Sequence, residues 1–308
     1  MESFGLTKDT LTPLSLNRFL SLIPLVSVLS TQRMLLRESL SRSVFAITLF
    51  VIVLSSFIQV VKFDSDSAMS SVRRLPPLLF PASSRHTATV IFVHGLGDTG
   101  HGWASAVENW RRRSRLNEVK FILPHAPQLP ITCNGGFVMP AWFDIYSLTG
   151  RVEDIRARQD EKGILLSRAY LNGLIQAEID AGIPAERIVL GGFSQGGAMS
   201  LFSGLTSPHK LGGIVGLSSW LPLDAKFPEF LQEHDLNKQT PILMCHGVVD
   251  TVVPTQLGKI SWEMLKALGF DVTFKLYPGM AHSACLEELD EVEAFLGSRL
   301  PAQGDKEA

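Results

Sequence analysis

Gly192-Phe193-Ser194-Gln195-Gly196 constrains the fold of this chain more than any other stretch. It follows the apolar run Arg187-Ile188-Val189-Leu190-Gly191 and precedes Gly197-Ala198-Met199-Ser200-Leu201-Phe202, a helical pattern. A Gly-x-Ser-x-Gly between a strand and a helix is a nucleophile elbow. The serine sits on a turn so tight that its backbone is strained. Residues two before and two after must be tiny, or their side chains collide across the turn. The strain lifts the hydroxyl above the sheet, where a histidine can reach it. The same five residues also occur by chance as an ordinary Gly-rich turn, so the reading depends on the serine's partners.

Chain order filters those partners, because an elbow serine is followed first by an acid and then by a histidine. Of eight histidines, only His282 lies near the C-terminus beyond a further strand-like segment, Val272 to Tyr277. It follows the turn Pro278-Gly279-Met280-Ala281. The acid is expected on the loop after the preceding strand, Pro241 to Cys245. Asp250 is the carboxylate in that loop, with Val248-Val249 before it and Val252-Val253 after it. Its alternative role is a cap for the helix expected from Pro254 onward. His246, directly at the strand end, reads as a packed structural histidine.

The division of labour follows from the chemistry. A serine hydroxyl is a weak nucleophile at neutral pH, so neutral His282 takes its proton during attack and returns it to the leaving group. Asp250 fixes the imidazole tautomer and stabilises the imidazolium. The oxyanion needs donors already in place, each worth about 3 kcal/mol. One is the backbone N–H of Gln195. The other is expected after the early strand Thr87 to Val93, where His94-Gly95-Leu96-Gly97-Asp98 leaves the backbone bare, and Leu96 N–H is the candidate. The Gly-x-Gly here lacks the full fingerprint of a dinucleotide site.

The remaining pattern alternates. Strands are expected at 87–93, 118–123, 187–191, 212–218, 241–245 and 272–277. Helices are expected near 103–113, 156–181, 195–205, 255–268 and 285–298. This order predicts an α/β-hydrolase fold, a mainly parallel central sheet with helices on both faces. A length of 308 residues fits one such domain plus an extension. The net charge of −2 offers no nucleic-acid signal, and Arg111-Arg112-Arg113 reads as a solvated helix end. Cys133, Cys245 and Cys285 are too widely spaced for a zinc or redox motif and favour a reducing compartment. No metal, nucleotide or redox cofactor is implied.

From about His86 to Pro301 the chain resembles the acyl-protein thioesterases, lysophospholipase-like serine hydrolases of the phospholipase/carboxylesterase family. The resemblance rests on several motifs in order. They are His94-Gly95-Leu96-Gly97-Asp98-Thr99-Gly100-His101-Gly102-Trp103, Pro124-His125-Ala126-Pro127 and Met139-Pro140-Ala141-Trp142-Phe143-Asp144, then the elbow, Ser219-Trp220-Leu221-Pro222-Leu223 and Gly279-Met280-Ala281-His282-Ser283. It implies catalytic roles for Ser194, Asp250 and His282, and removal of palmitoyl groups from protein cysteines. Lysophospholipids or short esters are the alternative substrates. A silent binding protein on this scaffold is a third reading, against which the intact triad argues. The resemblance also implies an acyl channel near Trp142 and Trp220, with Met139 and Leu221 beside them. Val248 stands where many members carry an acidic residue, a departure that bears on substrate preference. The long apolar segment 125–147 is either a wall of that groove or a plug over the core.

Residues 1–85 lie outside the resemblance and read as an N-terminal extension. Within them, 44–61 is almost entirely apolar, and about 18 helical residues span about 27 Å, close to a bilayer core. Arg33, Arg37 and Arg42 precede it, so a signal-anchor orients the hydrolase to the lumen. That conflicts with palmitoyl groups on the cytosolic leaflet. A cleaved signal is a second reading, although the run exceeds the usual apolar length. A start at Met69, giving a cytoplasmic or nuclear enzyme, is the third. Residues 302–308 read as a polar tail.

Overall fold

The computed structural model describes residues 74–231 and 236–304. The candidate membrane segment 44–61 and the alternative start Met69 lie outside the described residues. A seven-stranded sheet forms the centre. Its strands are β1 (Leu78–Phe80), β2 (Ala88–Val93), β3 (Val119–Leu123), β6 (Ile188–Phe193), β7 (Gly213–Leu217), β8 (Ile242–Gly247) and β9 (Val272–Tyr277). They lie in the order β1-β3-β2-β6-β7-β8-β9. All neighbours pair in parallel except β1, which runs antiparallel to β3. This is the expected sheet, extended by one edge strand that begins upstream of residue 86.

Two hydrophobic cores explain why the inner strands are apolar at every position. In β2, Val90 and Phe92 face one core while Ile91 and Val93 face the other. The first core is closed by α1 (Ala104–Arg112) and α7 (Leu286–Arg299), through Val107, Trp110, Val292 and Leu296. The second is closed by α3 (Glu161–Asp180), α4 (Gln195–Leu205) and α6 (Thr255–Ala267), through Leu171, Ile175, Met199, Phe202 and Leu265. All 11 residues of α4 are buried, which fixes the helix that follows the elbow serine.

Three local readings change. The segment 125–147 is not a plain loop. It folds into a hairpin of β4 (Gln128–Ile131) and β5 (Phe137–Pro140), closed by Gly135 and Gly136 at positive φ. Pro130 is tolerated there because β4 has a single partner. The helix expected over 156–181 is two helices, α2 (Val152–Ala157) and α3. Arg158 is extended, and Asp160 caps α3 by accepting from Gly163 N–H at 3.0 Å, so the chain turns between them. A short α5 (Phe227–Phe230) precedes β8. At the C-terminus, Gln303 and Gly304 N–H donate to the Glu118 carboxylate at 3.0 and 2.9 Å, so the start of the expected polar tail is tied to the domain.

Glu288 stands in the first turn of α7, fully buried, with no hydrogen-bond partner for either carboxyl oxygen among the described residues. Burial pushes its carboxyl from the ordinary 4.5 up to about 8. The folded state therefore holds a proton that the unfolded chain releases, and stability falls as pH rises from about 4.5 to about 8. Glu288→Gln removes that slope. Urea denaturation across this range is expected to show the variant gaining on the parent as pH rises. A difference independent of pH contradicts the assignment.

Candidate active site

Ser194 joins β6 to α4 with φ 54° and ψ −122°, a conformation that side chains strongly resist. Two glycines permit it. A Cβ on Gly192 lies 2.6 Å from the backbone of Gly196, so those two residues do press across the turn. A Cβ on Gly196 lies 2.2 Å from Val93 O and 2.4 Å from His94 O, so the second glycine is demanded mainly by the end of β2. Ser194 N–H donates to Leu217 O at 2.8 Å, which ties the elbow to β7.

The sheet brings the other expected residues to the same edge. Pairing of β8 with β9 places Gly247 opposite Tyr277, so the loops carrying Asp250 and His282 emerge side by side. His282 Nε2 lies 2.9 Å from Ser194 Oγ, and its Nδ1 lies 2.8 Å from Asp250 Oδ2. The Phe193 ring rests against the imidazole, with centroids 4.8 Å apart. Asp250 Oδ1 accepts from the N–H groups of Val252 and Val253, both at 2.9 Å, and does not cap α6 itself. Burial alone raises this carboxyl. The His246 and His282 imidazoles beside it and the Val253 N–H outweigh it and hold Asp250 well below the usual carboxylate range. The arrangement can accept a proton from Ser194 at one end and hold the resulting imidazolium at the other.

Leu96 lies on the loop after β2 and lines the same cavity as Ser194, and Gln195 follows Ser194 at the start of α4. Neither N–H has a hydrogen-bond partner among the described residues, and Gln195 opens α4, where the helix dipole favours an anion. Two side chains that the sequence reading passed over frame these donors. His94 is fully buried, and burial lowers its pKa, which keeps it neutral. Its Nδ1–H donates to Gly95 O at 2.7 Å, and its Nε2 accepts from Ala126 N–H at 3.1 Å. In a trans peptide the carbonyl and the next N–H point opposite ways, so holding Gly95 O aims the Leu96 N–H away from His94. The Gln195 amide accepts from Trp142 N–H at 2.9 Å and donates to Phe143 O at 2.7 Å. A histidine directly after a buried strand and a buried amide inside an elbow were the available signals.

A cavity of about 200 Å³ opens beside Ser194 and His282. Its apolar wall comes from Leu96, Ile145, Leu148, Trp220, Val252 and Val253, and Asp98 also lines it. Of the four residues expected to line an acyl channel, Trp220 lines this cavity. Trp142 is fully buried, with its indole N–H donating to His94 O at 2.8 Å, and it serves the core. Leu221 is buried and its N–H donates to Ser261 Oγ. Met139 packs near Gly97 on the loop after β2, outside the cavity wall. The segment 125–147 thus divides between the two roles expected of it. Trp142 and Phe143 plug the core, Ile145 lines the cavity, and Phe137 and Val138 are exposed on the hairpin.

A serine on a strand–helix elbow, with histidine and aspartate delivered by loops after later strands of a parallel sheet, defines an α/β-hydrolase. The profile of the Phospholipase/Carboxylesterase family matches residues 78–299, and the chain belongs to that family. It is similar to acyl-protein thioesterase 1 of Neurospora crassa, 62% identical over 238 residues that cover 77% of this chain and 97% of that protein. It is 64% identical to acyl-protein thioesterase 1 of Gibberella zeae over 228 residues, 74% of this chain and 97% of that protein. Among solved structures, acyl-protein thioesterase 2 of Zea mays superposes with a TM-score of 0.65 at 33% identity, covering 73% of this chain and 98% of that one.

The Gln195 amide is a direct test of how the site is framed. Gln195→Met keeps volume and the backbone N–H but strands a buried N–H and a buried carbonyl. Its expected cost is on the order of 2–4 kcal/mol in urea unfolding. A loss below about 0.5 kcal/mol contradicts this role.

Proposed function

We propose that this chain is a serine hydrolase that cleaves fatty acyl thioesters from S-acylated proteins, palmitoyl-cysteine foremost. The observation that carries the reading is the hydrogen-bonded line Ser194–His282–Asp250 at the mouth of an apolar cavity. The names of the similar fungal proteins support the thioester substrate. We assign the catalytic domain to residues 78–301, which widens the expected 86–301 by the edge strand β1.

In this mechanism the acyl chain lies along Trp220, Ile145 and Leu148, where each buried methylene contributes about 0.8 kcal/mol. Ser194 Oγ attacks the thioester carbonyl while His282 Nε2 takes its proton. The oxyanion is held by the N–H groups of Leu96 and Gln195. Collapse breaks the carbon–sulfur bond, and the cysteine sulfur leaves with the proton from His282. A thiolate of pKa about 8.5 is a far better leaving group than an amide nitrogen, which fits the substrate to the triad. Water then attacks the acyl-Ser194 ester, gives its proton to His282, and releases the fatty acid as Ser194 recovers its hydrogen.

A cytoplasmic location agrees with this substrate and with three free cysteines, Cys133, Cys245 and Cys285. Among the described residues no helix is long and apolar enough to cross a membrane.

The test is a comparison of initial rates on an S-palmitoyl peptide, a lysophospholipid and a short aryl ester, with Ser194→Ala alongside. The expected result is fastest turnover of the peptide, reduced at least ~1,000-fold in the variant. Preference for the lysophospholipid moves the chain to lipid hydrolysis. Undiminished turnover by the variant overturns the serine mechanism.

A further inference from the structure

His246 was expected to be structural, yet its surroundings are those of the catalytic acid. It is the next-to-last residue of β8, four residues before Asp250, with no solvent exposure. Its Nε2 lies 2.9 Å from Val253 O and 3.4 Å from Asp250 Oδ2. Both are acceptors, so Nε2 carries the hydrogen and the tautomer is set. The opposite nitrogen, Nδ1, is buried without a hydrogen-bond partner among the described residues and packs toward Gly258 of α6, where a Cβ would stand 2.5 Å away.

The Asp250 carboxylate is thereby met from four directions. Oδ1 takes Val252 and Val253 N–H, while Oδ2 takes His282 Nδ1–H and faces His246 Nε2–H. We propose that His246 is a positioning residue for the catalytic acid, whose Nε2–H closes the Asp250–Val253 loop and shares Asp250 Oδ2 with His282. Two consequences follow. The loop is stapled to the strand end through Val253 O, which keeps Oδ2 aimed at His282. Oδ2 also faces two imidazole N–H groups, so its negative charge is divided between His246 and His282. The ionisable groups around this unit are His246 from β8, His282 from the loop after β9, and Asp98, which lines the same cavity as His282 from the loop after β2.

The inference rests on Ser194, His282 and Asp250 acting as proposed above. Its test is the pH dependence of the second-order rate of fluorophosphonate labelling, measured on the full chain. His246→Leu removes the donor. His246→Gln keeps an N–H close to the original Nε2. The leucine variant is expected to move the acid limb of the profile upward by about 0.5 pH unit, and glutamine to bring it back toward the parent. A leucine variant that is merely slower, with its midpoint unmoved, overturns the proposal. So does a glutamine variant shifted as far as leucine. If leucine does not fold, His246→Asn replaces it, because its shorter amide does not span the distance to Oδ2. Loss of labelling in Ser194→Ala is the separate control. Its failure strikes the serine mechanism, whereas an unmoved midpoint strikes the role of His246 alone.

Discussion

Everything in this structure turns on holding one serine in a backbone conformation it resists. A residue at φ 54° and ψ −122° costs on the order of 1–3 kcal/mol. The surroundings over-determine it. β2 presses against Gly196, β7 takes the Ser194 N–H, and the wholly buried α4 fixes the exit direction. The same parallel sheet sends every other reacting group to this edge. The loop after β2 carries Leu96, the loop after β8 carries Asp250 and the loop after β9 carries His282. The site therefore occupies the carboxyl ends of the strands, where open α/β sheets bind ligands.

Around the serine, the side chains of Asp250, His94 and Gln195 are each buried with hydrogen-bond partners. Asp250 is fully enclosed yet has donors for both oxygens, and that is why it stays ionised in an apolar setting. His94 holds the peptide that presents Leu96 N–H, and the Gln195 amide clamps the chain at Trp142 and Phe143 against the elbow. Glu288, remote from this network, shows the opposite outcome. Buried with no hydrogen-bond partner among the described residues, its carboxyl is pushed up to about 8.

Much of this was legible in the sequence because it depends on order and on rigid local chemistry. Gly192, Ser194 and Gly196 announce the elbow, and strand order alone selected Asp250 and His282 as the residues that meet Ser194. The strands of the parallel sheet read clearly because residues buried on both faces leave unbroken apolar runs. What was not legible depends on which of two apolar surroundings a side chain enters. Trp142 and Trp220 look alike in sequence, yet one pins its indole to a backbone carbonyl in the core and the other lines the cavity. The hairpin within 125–147 was hidden because its strands are four residues each and carry prolines. The break at Arg158 was missed because helical spacing continues through it, although Asp160 with Gly163 supplied a cap. His246 looked structural because sequence does not reveal that its Nε2 and Asp250 Oδ2 come within 3.4 Å.

Whether the strained elbow makes Ser194 the nucleophile is decided by locating a covalent adduct. The folded full chain is treated with a fluorophosphonate, digested, and its modified peptide sequenced by mass spectrometry. The account predicts one adduct, on Ser194. An adduct on a different serine, such as the buried Ser218 or Ser219 at the end of β7, or no adduct on folded protein, contradicts it.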